Sequence, residues 1–273
     1  MRTELVTIPT DGVPLDGAYY EPDGGATAGA VILFHGNMMN FYVGAPRFLP
    51  PHLVELGYAV LSFNRRGHDI LTTRDSRAAA GGAFQTAAES IADDGYAADW
   101  LLARGFDRLV VGGHSNGGML AAQFAADRPD VVEALVLLSA HGGGREMQTS
   151  GFLFGEDTPA AMDRARALVA AGRGDELMLT PGWWWAIGAA SYLDRMERTP
   201  STLENATRIH CPSLFVRGSL ESVERYPAER FAELTPGECE LRIVEDCDHF
   251  YVGREAEISA IVVDWLRRTR LRP

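Results

Sequence analysis

The sequence predicts an α/β domain: a mostly parallel, twisted sheet with helices on both faces and a helical insertion. Three features carry that reading. Short, continuously apolar runs recur along the chain, as parallel strands covered on both faces require. Longer stretches with helical spacing separate them, and strands that alternate with helices form a mostly parallel sheet. One long stretch, from about residue 142 to 206, holds no convincing strand.

Taken in chain order, Thr3–Pro9 and Leu15–Pro22 flank Thr10-Asp11-Gly12-Val13-Pro14, which reads as a hairpin on the edge of the sheet. Val31–Phe34 and Ala59–Phe63 are the next strands, and Thr86–Arg104 is a helix. Leu109–Val111 is a strand, Met119–Asp127 a helix, and Ala134–Leu138 another strand. The stretch 142–206 is expected to be helical only, around Ala160–Ala171 and Trp183–Met196. A helical insertion between two sheet strands is a candidate lid over a cleft. Ser213–Val216 and Glu240–Val244 are the last strands, with helix Tyr226–Leu234 between them. Ile258, Ile261, Val262, Trp265 and Leu266 share one face of a closing helix with arginines in its last turn. Residues 1–141 and 207–273 are therefore the expected core, and 142–206 the expected lid. The chain shows no 20–50-residue repeat and no low-complexity linker.

Composition narrows the function classes. The chain has 273 residues, 46% hydrophobic and 23% charged, a globular mixture that excludes a disordered protein. Its 25 Lys+Arg against 37 Asp+Glu give a net charge of −12, without a long basic cluster, so neither nucleic acid nor a membrane surface is an expected partner. A small-molecule substrate is. Cys211, Cys239 and Cys247 form no C-x-x-C pair and read as reduced thiols. Met1–Val6 lacks the apolar region of a signal peptide, and no apolar run approaches the ~20 residues of a membrane helix. These features predict a soluble, cytoplasmic protein. No metal-ligand motif such as H-E-x-x-H is present, and no cofactor is expected.

The sharpest motif is Gly113-His114-Ser115-Asn116-Gly117, a G-x-S-x-G pattern with strand residues Asp107–Val111 before it and helical residues Gly118–Phe124 after it. Strand–turn–helix is the setting in which such a serine sits on a strained elbow, beside the free N–H groups of a helix start. Glycines are needed there because a Cβ would collide with neighbouring backbone.

With these residues the chain resembles the α/β-hydrolase superfamily along essentially its whole length. The resemblance implies the α/β-hydrolase fold, a serine nucleophile after the fifth strand, an acid after a later strand, and a histidine near the end, in the order Ser…Asp/Glu…His. Ser115 is then the nucleophile. Of seven histidines only His141, His210 and His249 follow it, and His249, in Asp246-Cys247-Asp248-His249-Phe250, resembles the family's histidine loop. The family commonly has Gly-x-x-Asp after the strand that ends at Val216; here the string is Gly218-Ser219-Leu220-Glu221, so Glu221 takes the acid position. Asp246 and Glu224 remain alternatives to it, whereas Asp248, next to His249 in an extended segment, points away. The oxyanion donors implied are the N–H groups of Asn116 and of Asn37, with Met38 as second choice for the latter.

Other strings resemble the family less closely. Asn64-Arg65-Arg66-Gly67-His68 departs from the family's Asp-x-Arg-Gly-x-Gly. It reads as a packing and hydrogen-bonding element, with an anion-binding arginine as the alternative. His141-Gly142-Gly143-Gly144 copies a lipase oxyanion motif but follows the nucleophile, so it reads as a flexible entry to the lid. Asp93-Asp94 reads as a solvated helix face. Of Trp183, Trp184 and Trp185, one or two are expected to line the substrate site and the rest to pack the lid. The resemblance implies a serine hydrolase acting on a carboxylic ester. Amide or peptide hydrolysis, C–C bond hydrolysis, and a ligand-binding receptor on the same fold are the alternatives.

Overall fold

A computed structural model describes residues 1–73, 77–145, 158–180 and 186–270. β1 (Arg2–Ile8) and β2 (Leu15–Glu21) form the edge hairpin, followed by β3 (Ala30–Phe34), helix α1 (Ala45–Glu55) and β4 (Ala59–Phe63). Helix α2 (Ala87–Leu102), β5 (Leu109–His114), α3 (Asn116–Asp127) and β6 (Val132–Leu138) complete the first half. After the insertion come β9 (Ser213–Gly218), α7 (Ala228–Leu234), β10 (Cys239–Val244) and α8 (Glu255–Arg270). The eight strands form one sheet in the order β1-β2-β4-β3-β5-β6-β9-β10. Pairing is antiparallel through β1, β2 and β4, and parallel from β4 onward.

Continuous apolar runs become strands buried on both faces. All five residues of β3 and of β4 are buried, as are all six of β5. One core cluster joins the sheet to α2, α3 and α7, and a second joins its other face to α1 and α8. Helix α2 starts in a capping box in which the Thr86 side chain accepts from the Glu89 N–H and the Glu89 carboxylate accepts from the Thr86 N–H.

Helix α1 has no counterpart among the helices expected from periodicity, because Pro46, Pro50 and Pro51 disguise it. Pro46 sits in the first turn, where an N–H has no helical partner anyway. Pro50 cannot donate to the Pro46 carbonyl, and the Ser62 hydroxyl donates to that oxygen instead at 2.9 Å.

The insertion departs from the expected all-helical segment. It contains α4 (Thr158–Ala170), a two-stranded antiparallel ribbon of β7 (Leu177–Leu179) and β8 (Ala186–Gly188), α5 (Ala189–Arg198) and α6 (Thr202–Ala206). Three-residue strands are too short to leave a period in the sequence. The helix expected from Trp183 begins at Ala189, and Trp183, Trp184 and Trp185 lie outside the described residues. Ala161, Ala165, Leu168, Met178, Ile187, Ala189, Tyr192 and Met196 form a core separate from the two that flank the sheet. The insertion rests on the start of α2: the Gly188 N–H donates to the Ala83 carbonyl at 2.8 Å, and the Ala87 N–H donates to Asp194 at 2.6 Å.

Candidate active site

Ser115 sits between β5 and α3 with φ 58° and ψ −120°, a conformation that L-residues rarely adopt. The glycines around it explain how the chain turns so sharply. A Cβ on Gly113 would lie 2.2 Å from the Gly117 carbonyl oxygen, and one on Gly117 would lie 2.2 Å from the Phe34 carbonyl oxygen. One on Gly118 would lie 2.6 Å from the Ala140 side chain. The elbow is pinned by the Ser115 N–H, which donates to the Leu138 carbonyl at 2.9 Å, and by its carbonyl, which accepts from the His141 N–H at 3.1 Å.

The ends of two further elements bring the other side chains to it. His249 stands on the loop between β10 and α8, and its Nε2 accepts from the Ser115 hydroxyl at 3.0 Å. Its Nδ1–H donates to Glu221 Oε1 at 2.6 Å, which assigns the tautomer from the partners. Glu221 follows β9, and its side chain is 2% exposed. The other oxygen, Oε2, accepts from the Gly218 N–H at 2.7 Å and from the Ser139 hydroxyl at 2.6 Å. Gly218 allows this closeness, since a Cβ there would meet the Cys247 carbonyl oxygen at 2.2 Å. Two nearby carboxylates are engaged elsewhere. Asp248 Oδ1 accepts from the N–H groups of Phe250 and Val252, and Glu224 accepts from the Ser222 hydroxyl.

The histidine is also fixed from its faces. The Tyr226 ring stacks on it at 4.6 Å between centroids, and the His114 ring lies 4.8 Å away. The His114 Nε2–H donates to the His249 carbonyl at 2.8 Å, and burial lowers the proton affinity of His114 to a pKa of about 3. Burial and then the positive charge of Arg225 do the same to His141, also to about 3. Both rings are neutral at ordinary pH, so neither competes with His249 for the serine proton.

Asn116 opens α3, where the N–H groups of the first turn have no helical acceptor. Asn37 and Met38 lie in the turn after β3, closed by the Met39 N–H donating to the Gly36 carbonyl at 3.3 Å. A Cβ on Gly36 would lie 3.6 Å from the His114 carbonyl oxygen, so this turn abuts the elbow. The Asn37 side-chain oxygen accepts from Arg195 of α5 at 2.7 Å, while the Met38 side chain packs on the core of the insertion.

Two expectations need correction, and the Asn64–His68 string has the packing and hydrogen-bonding role expected of it. Asp93 and Asp94 are not a solvated face; they are 0% and 1% exposed. Arg66 binds Asp93 through its Nε–H at 2.8 Å, and the Arg65 guanidinium lies 3.5 Å from Asp94. Buried carboxylates need such partners, and both cations come from a loop remote in sequence. Arg65 also donates to the His35 carbonyl at 2.5 Å, so these arginines bind protein groups beneath the turn after β3. Finally, His141–Gly144 is no flexible entry. The Thr202 hydroxyl donates to the His141 carbonyl at 2.6 Å, the Gly142 N–H to the Arg225 carbonyl at 2.9 Å, and the Gly144 N–H to the Pro200 carbonyl at 2.8 Å.

Ser139, Tyr251, Tyr226 and Arg195 belong to the site without having been singled out from the sequence, and His114 entered only as a letter of the elbow motif. The usable signals were proximity in the chain: His114 adjoins Ser115, and Tyr251 lies two residues from His249.

Comparison with known proteins agrees with this architecture. The chain is similar along 98% of its length to Est1E from Butyrivibrio proteoclasticus, covering 99% of that chain at 18% identity and a TM-score of 0.74. It is likewise similar to the Pyrococcus furiosus esterase Pf2001, with 98% and 92% of the two chains covered, 20% identity and a TM-score of 0.64. Proline iminopeptidase of Mycobacterium smegmatis matches over 98% and 99% of the chains at 18% identity and a TM-score of 0.65. No curated protein matches by sequence. No helix among the described residues is long and apolar enough to cross a membrane. The family model described as alpha/beta hydrolase fold matches residues 29–171, and with the eight-stranded order and the elbow at Ser115 this places the chain in the α/β-hydrolase fold family.

Proposed function

We propose that this α/β hydrolase cleaves a carboxylic ester of a small molecule through an acyl-enzyme on Ser115. The observation that carries the reading is the continuous line from the Ser115 hydroxyl to His249 Nε2 at 3.0 Å and from His249 Nδ1–H to Glu221 at 2.6 Å. His249 takes the serine proton as Oγ attacks the ester carbonyl, and Glu221 balances the imidazolium that forms. The carbonyl oxygen becomes an alkoxide facing the N–H groups of Asn116 and Asn37, the latter with Met38 as alternative. His249 then protonates the leaving alcohol, activates water, and the acyl group is released by the same steps in reverse.

The ester reading is favoured over an amide because an alkoxide leaves more readily than an amine, so less is asked of the general acid. The insertion, with its own core and its Arg195 contact to Asn37, serves as the lid that selects the acyl or alcohol group. The deciding experiment compares a p-nitrophenyl ester with the p-nitroanilide of the same acyl group. Ester turnover far above anilide turnover is expected. Anilide turnover without ester turnover replaces the reading with amide hydrolysis, and no turnover of either favours a receptor.

A further inference from the structure

The geometry points to Ser139 and Tyr251 as positioning residues that hold Glu221 in register with His249, through a chain of hydrogen bonds behind the reacting atoms that the backbone closes into a ring. The inference rests on the Ser115–His249–Glu221 reading and adds two side chains to it. Glu221 Oε2 accepts from the Ser139 hydroxyl at 2.6 Å. Having donated its one proton, the Ser139 oxygen accepts from the Tyr251 hydroxyl, also at 2.6 Å. Tyr251 lies two residues past His249, so the ring runs His249, Glu221, Ser139, Tyr251 and back along the chain to His249.

Both residues are built for this place. Ser139 is 0% exposed and Tyr251 1% exposed, and each holds a positive φ, 44° and 59°, that only a strong surrounding constraint maintains. The Ser139 N–H donates to the Val216 carbonyl at 2.8 Å, which ties the end of β6 to β9 beside the acid. Burial, followed by the charge of Glu221, raises the Tyr251 phenol well above its ordinary range, so it remains a donor. The need for such a device follows from the glutamate. Its side chain has one more rotatable bond than aspartate, and two donors on Oε2 remove that freedom while leaving Oε1 to the histidine.

The test is a double-mutant cycle on ester turnover. Ser139→Ala removes one hydrogen bond to a charged group and should lower kcat on the order of ten- to a hundredfold, with KM within about twofold. Tyr251→Phe, which keeps the ring and removes only the hydroxyl, should lower kcat by a few-fold with KM unchanged. It decides the matter alone if Ser139→Ala fails to fold. In a Glu221→Gln background, either substitution should cause no further loss, because both act through that carboxylate. Unchanged kcat in Tyr251→Phe and Ser139→Ala, or losses that multiply in the Glu221→Gln background, would overturn the inference. A Glu221→Gln enzyme that itself keeps wild-type turnover would instead overturn the reading on which it rests.

Discussion

Glu221→Gln should lower kcat about 10⁴-fold while leaving the fold intact, and the structure explains why an isosteric change is so costly. Oε2 accepts two hydrogen bonds, from the Gly218 N–H and the Ser139 hydroxyl. Only the carbonyl end of a glutamine side chain can take both, so its NH₂ group is turned toward His249 Nδ1. Nδ1 must then accept, the ring proton moves to Nε2, and Nε2 can no longer take the proton of Ser115. Loss of an orienting acid in this way costs roughly 10⁴ in kcat, or about 5.4 kcal/mol at about 1.36 kcal/mol per tenfold. The assay is kcat on a p-nitrophenyl ester, alongside thermal unfolding followed by circular dichroism. Asp246→Asn, Asp248→Asn and Glu224→Gln should each stay within a few-fold of wild type. A folded Glu221→Gln enzyme within a few-fold of wild type would refute the reasoning and move the role to another carboxylate.

Further predictions concern what holds the site in place. Gly117→Ala puts a Cβ 2.2 Å from the Phe34 carbonyl oxygen and should destabilise the protein by about 3 kcal/mol or more, read as a lower urea midpoint. Arg65→Met leaves Asp94 buried without its cation and should cost about 3–5 kcal/mol in the same assay. The acid limb of stability should steepen through buried neutral histidines. His114 protonates near 6.5 unfolded but only near 3 folded, so its contribution is complete above about pH 6.5 and is lost as pH falls toward 3. Each such group adds about 1.4 kcal/mol per pH unit, while Asp94, raised to about 7 by burial, opposes one of them between about pH 4 and 7. His114→Gln should flatten the slope of unfolding free energy against pH by that single increment, and an unchanged slope would remove His114 from the account.

The sheet was legible because strands buried on both faces are nearly continuously apolar: β3 is so throughout, β4 is broken only by Ser62, and β5 is apolar over Leu109–Val111. The elbow was legible because the collision that Gly113 avoids, with the Gly117 carbonyl oxygen, occurs within a few residues of the chain. The assignments of His249 and Glu221 were implied by the resemblance to the α/β-hydrolase family, and the structure sets His249 against Ser115 and Glu221 against His249. What stayed hidden depends on partners far away in the chain. Helix α1 carries three prolines, one of whose lost bonds is replaced by Ser62 from the next strand. Asp93 and Asp94 looked solvated because one helix cannot show the two arginines that fold over it. Ser139 and Tyr251 stand 112 residues apart and meet only because the end of β6 and the histidine loop lie together at the C-terminal ends of the strands.

The most direct test of the central claim is intact-mass analysis after treatment with a fluorophosphonate, with peptide mapping of the adduct. One adduct is expected, on Ser115, appearing in step with the loss of ester turnover and absent from Ser115→Ala. Labelling that persists in Ser115→Ala, or a fully labelled enzyme that still hydrolyses the ester, would contradict it.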